Sequence, residues 1–154
     1  MAYNVTINGV DRTTDILADT IVVEDTLNDQ QNTCTFSLIE RSGGGTPATD
    51  QEIIITLDDA TKLFAGYILT TMVASVLESG VVTIHVSCVD YSRLLDRNLV
   101  HKAYENMTDA AIIADILVTY CPGFGITGTN VVAGVTIDQI GFNYLQPSQC
   151  LRKI

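Results

Sequence analysis

The chain has no tryptophan, three prolines, two histidines and only eight basic residues, set against 18 acids. Each shortage excludes something. A net charge of −10 makes sequence-specific nucleic acid and anionic membrane surfaces poor partners, because both repel it at long range. Ten aromatics without a tryptophan are few for a carbohydrate-binding module, whose sites lean on exposed rings. A ligand- or carbohydrate-binding β-sandwich therefore stands only as the alternative reading. No apolar run reaches the ~18 residues of a membrane helix. Residues 1–6, Met-Ala-Tyr-Asn-Val-Thr, carry neither the basic nor the apolar region of a secretory signal, so none is expected. Without one, the glycosylation-type triplets Asn4-Val5-Thr6 and Asn106-Met107-Thr108 have little weight.

Catalytic and metal patterns are scarce too. Cys34, Cys88, Cys121 and Cys150 form no C-x-x-C and match no zinc spacing. Free buried thiols are expected, and nothing in the sequence pairs Cys121 with Cys150. His85 falls in mid-strand on a polar phase and His101 in a connector, neither with a metal ligand at helical spacing. No G-x-S-x-G presents a nucleophile, and Asp58-Asp59 reads as a solvated turn. Gly123-Phe124-Gly125-Ile126-Thr127-Gly128 matches G-x-G-x-x-G. It follows a helix C-terminus, however, where the dipole has the wrong sign for phosphate. No enzyme, cofactor or metal is expected.

What the chain does have is alternation. Tyr3–Ile7 alternates up to Asn8-Gly9, a hairpin turn. Asp19–Glu24 reads as a strand, and Asn28–Asn32 as a polar turn. Thr33–Glu40 then places Cys34, Phe36 and Leu38 on one face. Residues 42–47 are a glycine-rich loop. Glu52–Leu57 and Lys62–Val76 are further strands, the second with a bulge or bend expected at Gly66. Glu78-Ser79-Gly80 turns the chain into Val81–Val89, with Ile84, Val86 and Cys88 inward. Consecutive antiparallel strands at short spacing predict a β-barrel or sandwich, with Phe36, Leu38, Ile84, Val86 and Cys88 buried together.

Near Asp90 the period changes. Tyr91–Asp96 reads as a helical turn. Thr108 caps a helix running to Tyr120, with Asp109 at its positive end. Val131–Ile140 is expected as the last strand. Pro147 then starts a helix whose apolar face is Cys150, Leu151 and Ile154. That face has little to cover, so the chain reads as the first part of a longer protein. The fold class is mainly β (α+β).

Charge is lopsided. Residues 1–60 carry eleven acids against two bases, and residues 61–154 seven against six. Six of the acids are Asp11, Asp15, Asp19, Glu24, Asp25 and Asp29. They read as a solvated strand edge that discourages pairing, or as part of a wall past which a polyanion must slide.

Four segments in order resemble the N-terminal half of the tail hub (baseplate hub, tail-tip) proteins of long-tailed phages. They are Leu63-Phe64-Ala65-Gly66-Tyr67-Ile68, the strand and turn from Val86 through Cys88-Val89-Asp90-Tyr91 to Arg97, the helix Thr108–Leu117, and Gly134-Val135-Thr136-Ile137 leading to Phe142–Ile154. The resemblance implies a structural role in the virion. Residues 1–100 would be a tail-tube-like β-barrel domain and 101–154 part of an intermediate α/β domain. It also implies a homotrimer that joins the tail tube to the tip or spike and surrounds the DNA channel during genome ejection. Partners would be the tail tube or distal tail protein, the tape-measure protein and spike or fibre proteins, with assembly in the bacterial host cytoplasm. The six acids would then be channel-facing candidates.

Overall fold

The computed structural model describes residues 3–26, 31–40, 45–58, 60–76, 81–122, 131–132 and 134–154. The expected turns at 28–30 and 78–80, glycines 43 and 44, Asp59 and the G-x-G-x-x-G segment lie outside them. The chain divides into two compact units, residues 1–91 and 92–154.

The first unit is one seven-stranded antiparallel sheet. Its strands are β1 (Tyr3–Ile7), β2 (Val10–Asp11), β3 (Ile16–Glu24), β4 (Thr33–Glu40), β5 (Glu52–Leu57), β6 (Lys62–Val76) and β7 (Val82–Asp90). Their order is β2-β1-β5-β6-β7-β4-β3. The expected hairpin turn is made by Asn8 (φ 51°) and Gly9 (φ 76°), which supply the positive φ that a tight turn needs.

The sheet has to curl. Its two outermost strands, β2 and β3, are joined only by residues 12–15. Five Cα steps reach at most ~18 Å, whereas a flat sheet of this width would separate its edges by ~29 Å. The result is a curled half-barrel. Its inside is filled by the alternating residues: Val5, Cys34, Phe36, Leu38, Ile53, Ile55, Ile68, Ile84 and Val86 have no exposed surface, and Cys88 has 2%. All five expected core residues are among them.

Gly66 is not a bulge. It pairs in register with Ile53 on one side and Asp90 on the other. The irregularities of β6 fall elsewhere, at Leu63 against β5 and at Leu69 and Ala74 against β7. Gly66 instead allows close backbone approach, since a Cβ there would lie 2.7 Å from the Asp90 Cα.

A 3-10 turn (Tyr91–Asp96) runs across the boundary between the units, and the second then holds β8 (Val100–Thr108), α1 (Asp109–Tyr120), β9 (Thr136–Leu145) and α2 (Pro147–Leu151). β8 and β9 pair antiparallel. Val100, Tyr104, Ile112, Ile116, Phe142 and Cys150 form its core. The Thr108 hydroxyl accepts from the Ala111 N–H (3.3 Å) as the expected cap. The Asp109 carboxylate accepts from Ala110 (2.6 Å), Gly134 (2.9 Å) and Val135 (3.2 Å). It thereby ties the start of α1 to the approach to β9.

These bonds hold the Asp109 carboxyl below its ordinary 3.8. Asp115 is also lowered: burial alone would raise it, but hydrogen bonds from Lys102 (2.8 Å) and Tyr104 (2.7 Å) outweigh that. A depressed folded-state value stabilises fully above the unfolded value and is lost as pH falls through the folded one. The melting temperature should therefore drop more steeply as pH falls below about 4 in the wild type than in Asp109→Asn/Asp115→Asn. Equal slopes would show that these carboxylates do not matter to folding.

Candidate interaction face of the large sheet

The outer face of β3, β4, β7 and β6 carries chemistry unlike the rest of the chain. The pairing registers align its side chains in rows: Glu24–Thr33–Val89–Tyr67, of which Val89 is itself buried, Val22–Thr35–Ser87–Thr70 and Leu17–Ser37–His85–Met72. Twelve positions hold one carboxylate, at a corner, where Glu24 accepts a hydrogen bond from Thr33 (3.3 Å). Hydroxyls and β-branched residues fill most of the rest. His85 is there, as expected from its phase, with its Nδ1 3.4 Å from the Ser37 hydroxyl. Charge-poor patches with a charged rim are typical of protein interfaces.

The acids lie on the rim. Asp11 ends β2, is exposed, and accepts from the Thr13 N–H (2.9 Å). The Thr13 hydroxyl, and after it this backbone bond, hold its carboxyl below the ordinary value. Asp19 is exposed on a bulge of β3, where Ala18, Asp19, Thr20 and Ile21 stand opposite Phe36 alone. The Thr20 hydroxyl fills the gap in the ladder. It donates to the Leu17 carbonyl (2.6 Å) and accepts from the Ser37 N–H (2.8 Å). Glu24 and Asp25 are exposed at the far end of β3. Asp29 lies outside the described residues. These acids follow the β2–β3 margin in chain order and do not converge on one point.

Asp15 has a different role. Its Oδ2 accepts from Arg12 Nε at 2.7 Å, with the two side chains 14% and 9% exposed. The two terminal nitrogens of Arg12 donate to the Gly45 carbonyl, each at 3.3 Å. Sequence reasoning passed over Arg12. Its one signal is that it is a lone base among acids at the β2–β3 link.

A surface recess of about 190 Å³ opens beside Asp25, Asn32, Lys62 and Asp90. Among the described residues no group of three or more His, Cys, Asp or Glu is placed to hold a metal. The four cysteines are free and buried, as expected. Cys34 and Cys88 are direct cross-strand neighbours, and burial pushes the Cys34 thiol up to about 12, which leaves it unreactive near neutral pH. His101 is not in a connector but in β8, stacked on Tyr144 (centroids 4.7 Å apart) and 3.1 Å from the Asn143 Oδ1. No helix of the described residues is long and apolar enough to cross a membrane.

No protein-family model matches the chain, and no curated protein matches it. Solved structures do. A 43 kDa tail protein of prophage MuSo2 from Shewanella oneidensis superposes with a TM-score of 0.72 at 16% identity, over 97% of this chain and 47% of its own. An Escherichia coli component of the type VI secretion system, itself structurally similar to the bacteriophage T4 tail proteins gp27 and gp5, gives 0.69 at 17%, over 96% and 41%. A tail protein of Neisseria meningitidis gives 0.56 at 10%, over 78% and 34%. The chain spans less than half of each. At such identities the likeness establishes the fold, and that fold is the tail-protein architecture implied by the motifs.

Proposed function

We propose that this chain is a structural component of a phage tail hub. In this reading it joins the tail tube to the tip or spike, surrounds the DNA channel, and works as a homotrimer beside tube, tape-measure and spike or fibre proteins. What carries the reading is the likeness to the MuSo2 tail protein over 97% of the chain. The charge-poor sheet face adds to it, since it suits packing in an assembly better than binding a small molecule. The chemistry proposed is therefore mechanical, without an active site or cofactor.

Some of Asp11, Asp19, Glu24 and Asp25 would face the channel or its rim, where carboxylates keep DNA from adhering. Asp15 serves there only through Arg12. Repulsion from such a wall reaches ~8 Å at physiological salt.

Gold-labelled antibody against the chain should mark one end of the tail in intact particles. Labelling along the whole tail would make it a tube subunit instead, and unlabelled particles would end the virion reading. Particles built with Asp11→Lys/Asp19→Lys/Glu24→Lys should eject DNA more slowly, most of all at low salt. An unchanged rate across salt concentrations would strip the acids of a channel role.

A further inference from the structure

The β8–β9 pair of the second unit presents a polar recess on the face turned away from the Val100, Tyr104 and Phe142 core. Residues two apart on a strand share a face. The register sets three successive cross-strand pairs on this one: His101–Asn143, Ala103–Gly141 and Glu105–Gln139. All six residues are exposed. The middle pair is small, and nothing lies within 4 Å of a Cβ built on Gly141. The recess holds about 400 Å³ and is lined by His101, Lys102, Ala103, Gly141, Phe142 and Asn143. The backbones of the two flanking pairs stand about 13 Å apart along the strands.

One end of the recess is a fixed ring. The pairing steps from Val100–Leu145 to His101–Asn143 and leaves Tyr144 as an extra residue in β9. Tyr144 has φ 53°, a left-handed conformation that bulky side chains rarely adopt. Bulges re-aim side chains. This one leaves Tyr144 65% exposed, with its ring plane 14° from that of the His101 imidazole. The imidazole therefore has Tyr144 stacked on it and itself lines the recess.

The hydrogen-bonding groups around this space are mostly acceptors. His101 Nδ1 donates to Asn143 Oδ1, which leaves Nε2 of the neutral ring to accept. Gln139 Nε2 donates to Glu105 (3.5 Å), which leaves Gln139 Oε1 to accept. Lys102, the base nearest in sequence to Glu105, is taken by Asp115. Among the described residues Glu105 has no ion pair. A flat ring, a carboxylate and neutral acceptors suit a planar cation that carries only donors, which is a guanidinium. An ammonium is a compact point charge and gains less from the ring. The net charge of −10 favours the approach of either.

We propose that this recess receives an arginine side chain presented by a partner protein. Its guanidinium stacks on the His101 imidazole and donates to Glu105 and Gln139.

The test titrates the full chain with blocked tripeptides, acetyl-Gly-X-Gly-amide, up to about 50 mM, where a single side-chain contact populates. X is arginine, lysine or citrulline, the neutral analogue of arginine. Binding is followed by NMR at constant ionic strength. The arginine peptide should shift the His101 ring and the Asn143 and Gln139 side-chain amides in a saturable way. It should bind about threefold more tightly than either other peptide, and Glu105→Gln or His101→Ala should each weaken it about threefold. Glu40→Gln removes the same charge from the first unit and should leave binding unchanged. The peptide comparison on the wild-type chain stands even where a variant misfolds. Equal binding of the arginine and lysine peptides, or an equal loss in Glu40→Gln, would reduce the effect to diffuse attraction by an acidic chain and overturn the proposal. So would the absence of saturable shifts at His101, Asn143 and Gln139.

Discussion

Replacing Gly66 by alanine should destabilise the first unit by roughly 3 kcal/mol, near the upper end of what one added methyl costs in a packed interior. Gly66 sits between two neighbouring strands, opposite Ile53 and Asp90. A Cβ would overlap the Val89 carbonyl oxygen and lie 2.7 Å from the Asp90 Cα and 2.8 Å from the Val89 carbonyl carbon. These are backbone atoms of β7 and cannot rotate aside as a side-chain tip would. Relief requires β6 and β7 to part, and they hold the longest ladder in the sheet. Gly141 is the control. Nothing lies within 4 Å of a Cβ built there, so Gly141→Ala should change stability by no more than about 0.5 kcal/mol. Urea titrations followed by circular dichroism compare the two directly. A loss under about 1 kcal/mol for Gly66→Ala would mean that the strands separate there at little cost.

The bulge expected at Gly66 and the connector expected at His101 fail for one cause. Hydrophobic alternation reports which side chains face a core, not which backbones approach each other. Thr33–Glu40 and Val82–Cys88 alternate cleanly because each buries one face, and both were legible. In β8, Lys102 occupies the inward phase between Val100 and Tyr104. Its Nζ lies 5.1 Å from the centre of the Tyr104 ring and 2.8 Å from Asp115 Oδ2, so a charged residue breaks the pattern without breaking the strand. The reverse error moved the last strand. Val131, Val132 and Val135 suggest β-structure, but Val132 is 90% exposed. The Asp109 carboxylate takes the N–H groups of Gly134 and Val135, and the strand begins only at Thr136. A long-range cap of this kind leaves no periodic trace. The rim acids were legible as a run of charge. The bulge that lifts Asp19 away from the ladder was not, because it depends on Thr20 finding Leu17 and Ser37.

Loss of Arg12 should cost about 3 kcal/mol, the lower end of the range for breaking a buried ion pair from one side. The short link between β2 and β3 must turn the chain from one margin of the sheet to the other. Its backbone is held on β1, where the Arg12 N–H donates to the Val5 carbonyl and the Val5 N–H donates to the Thr13 hydroxyl, both at 2.9 Å. The guanidinium then ties the link to Asp15 and to Gly45, in the connection after β4. Arg12→Ala leaves a carboxylate 14% exposed without this cation and the Gly45 carbonyl without these donors. Arg12→Lys restores the charge but not a planar fork that serves two acceptors, and should recover less than half of the loss. Arg12→Ala/Asp15→Ala should be more stable than the two single losses predict, because the ion pair is then removed from both sides at once. The coupling should be little affected by salt, since both groups are largely shielded from solvent. Because β3 carries Asp19 and its bulge directly after this link, the same variants should loosen the margin that presents them, seen as faster amide exchange from Ile16 to Glu24. A double-mutant cycle with coupling below about 0.5 kcal/mol, together with unchanged exchange in β3, would show that chain connectivity alone sets the curl and that Arg12 is a bystander.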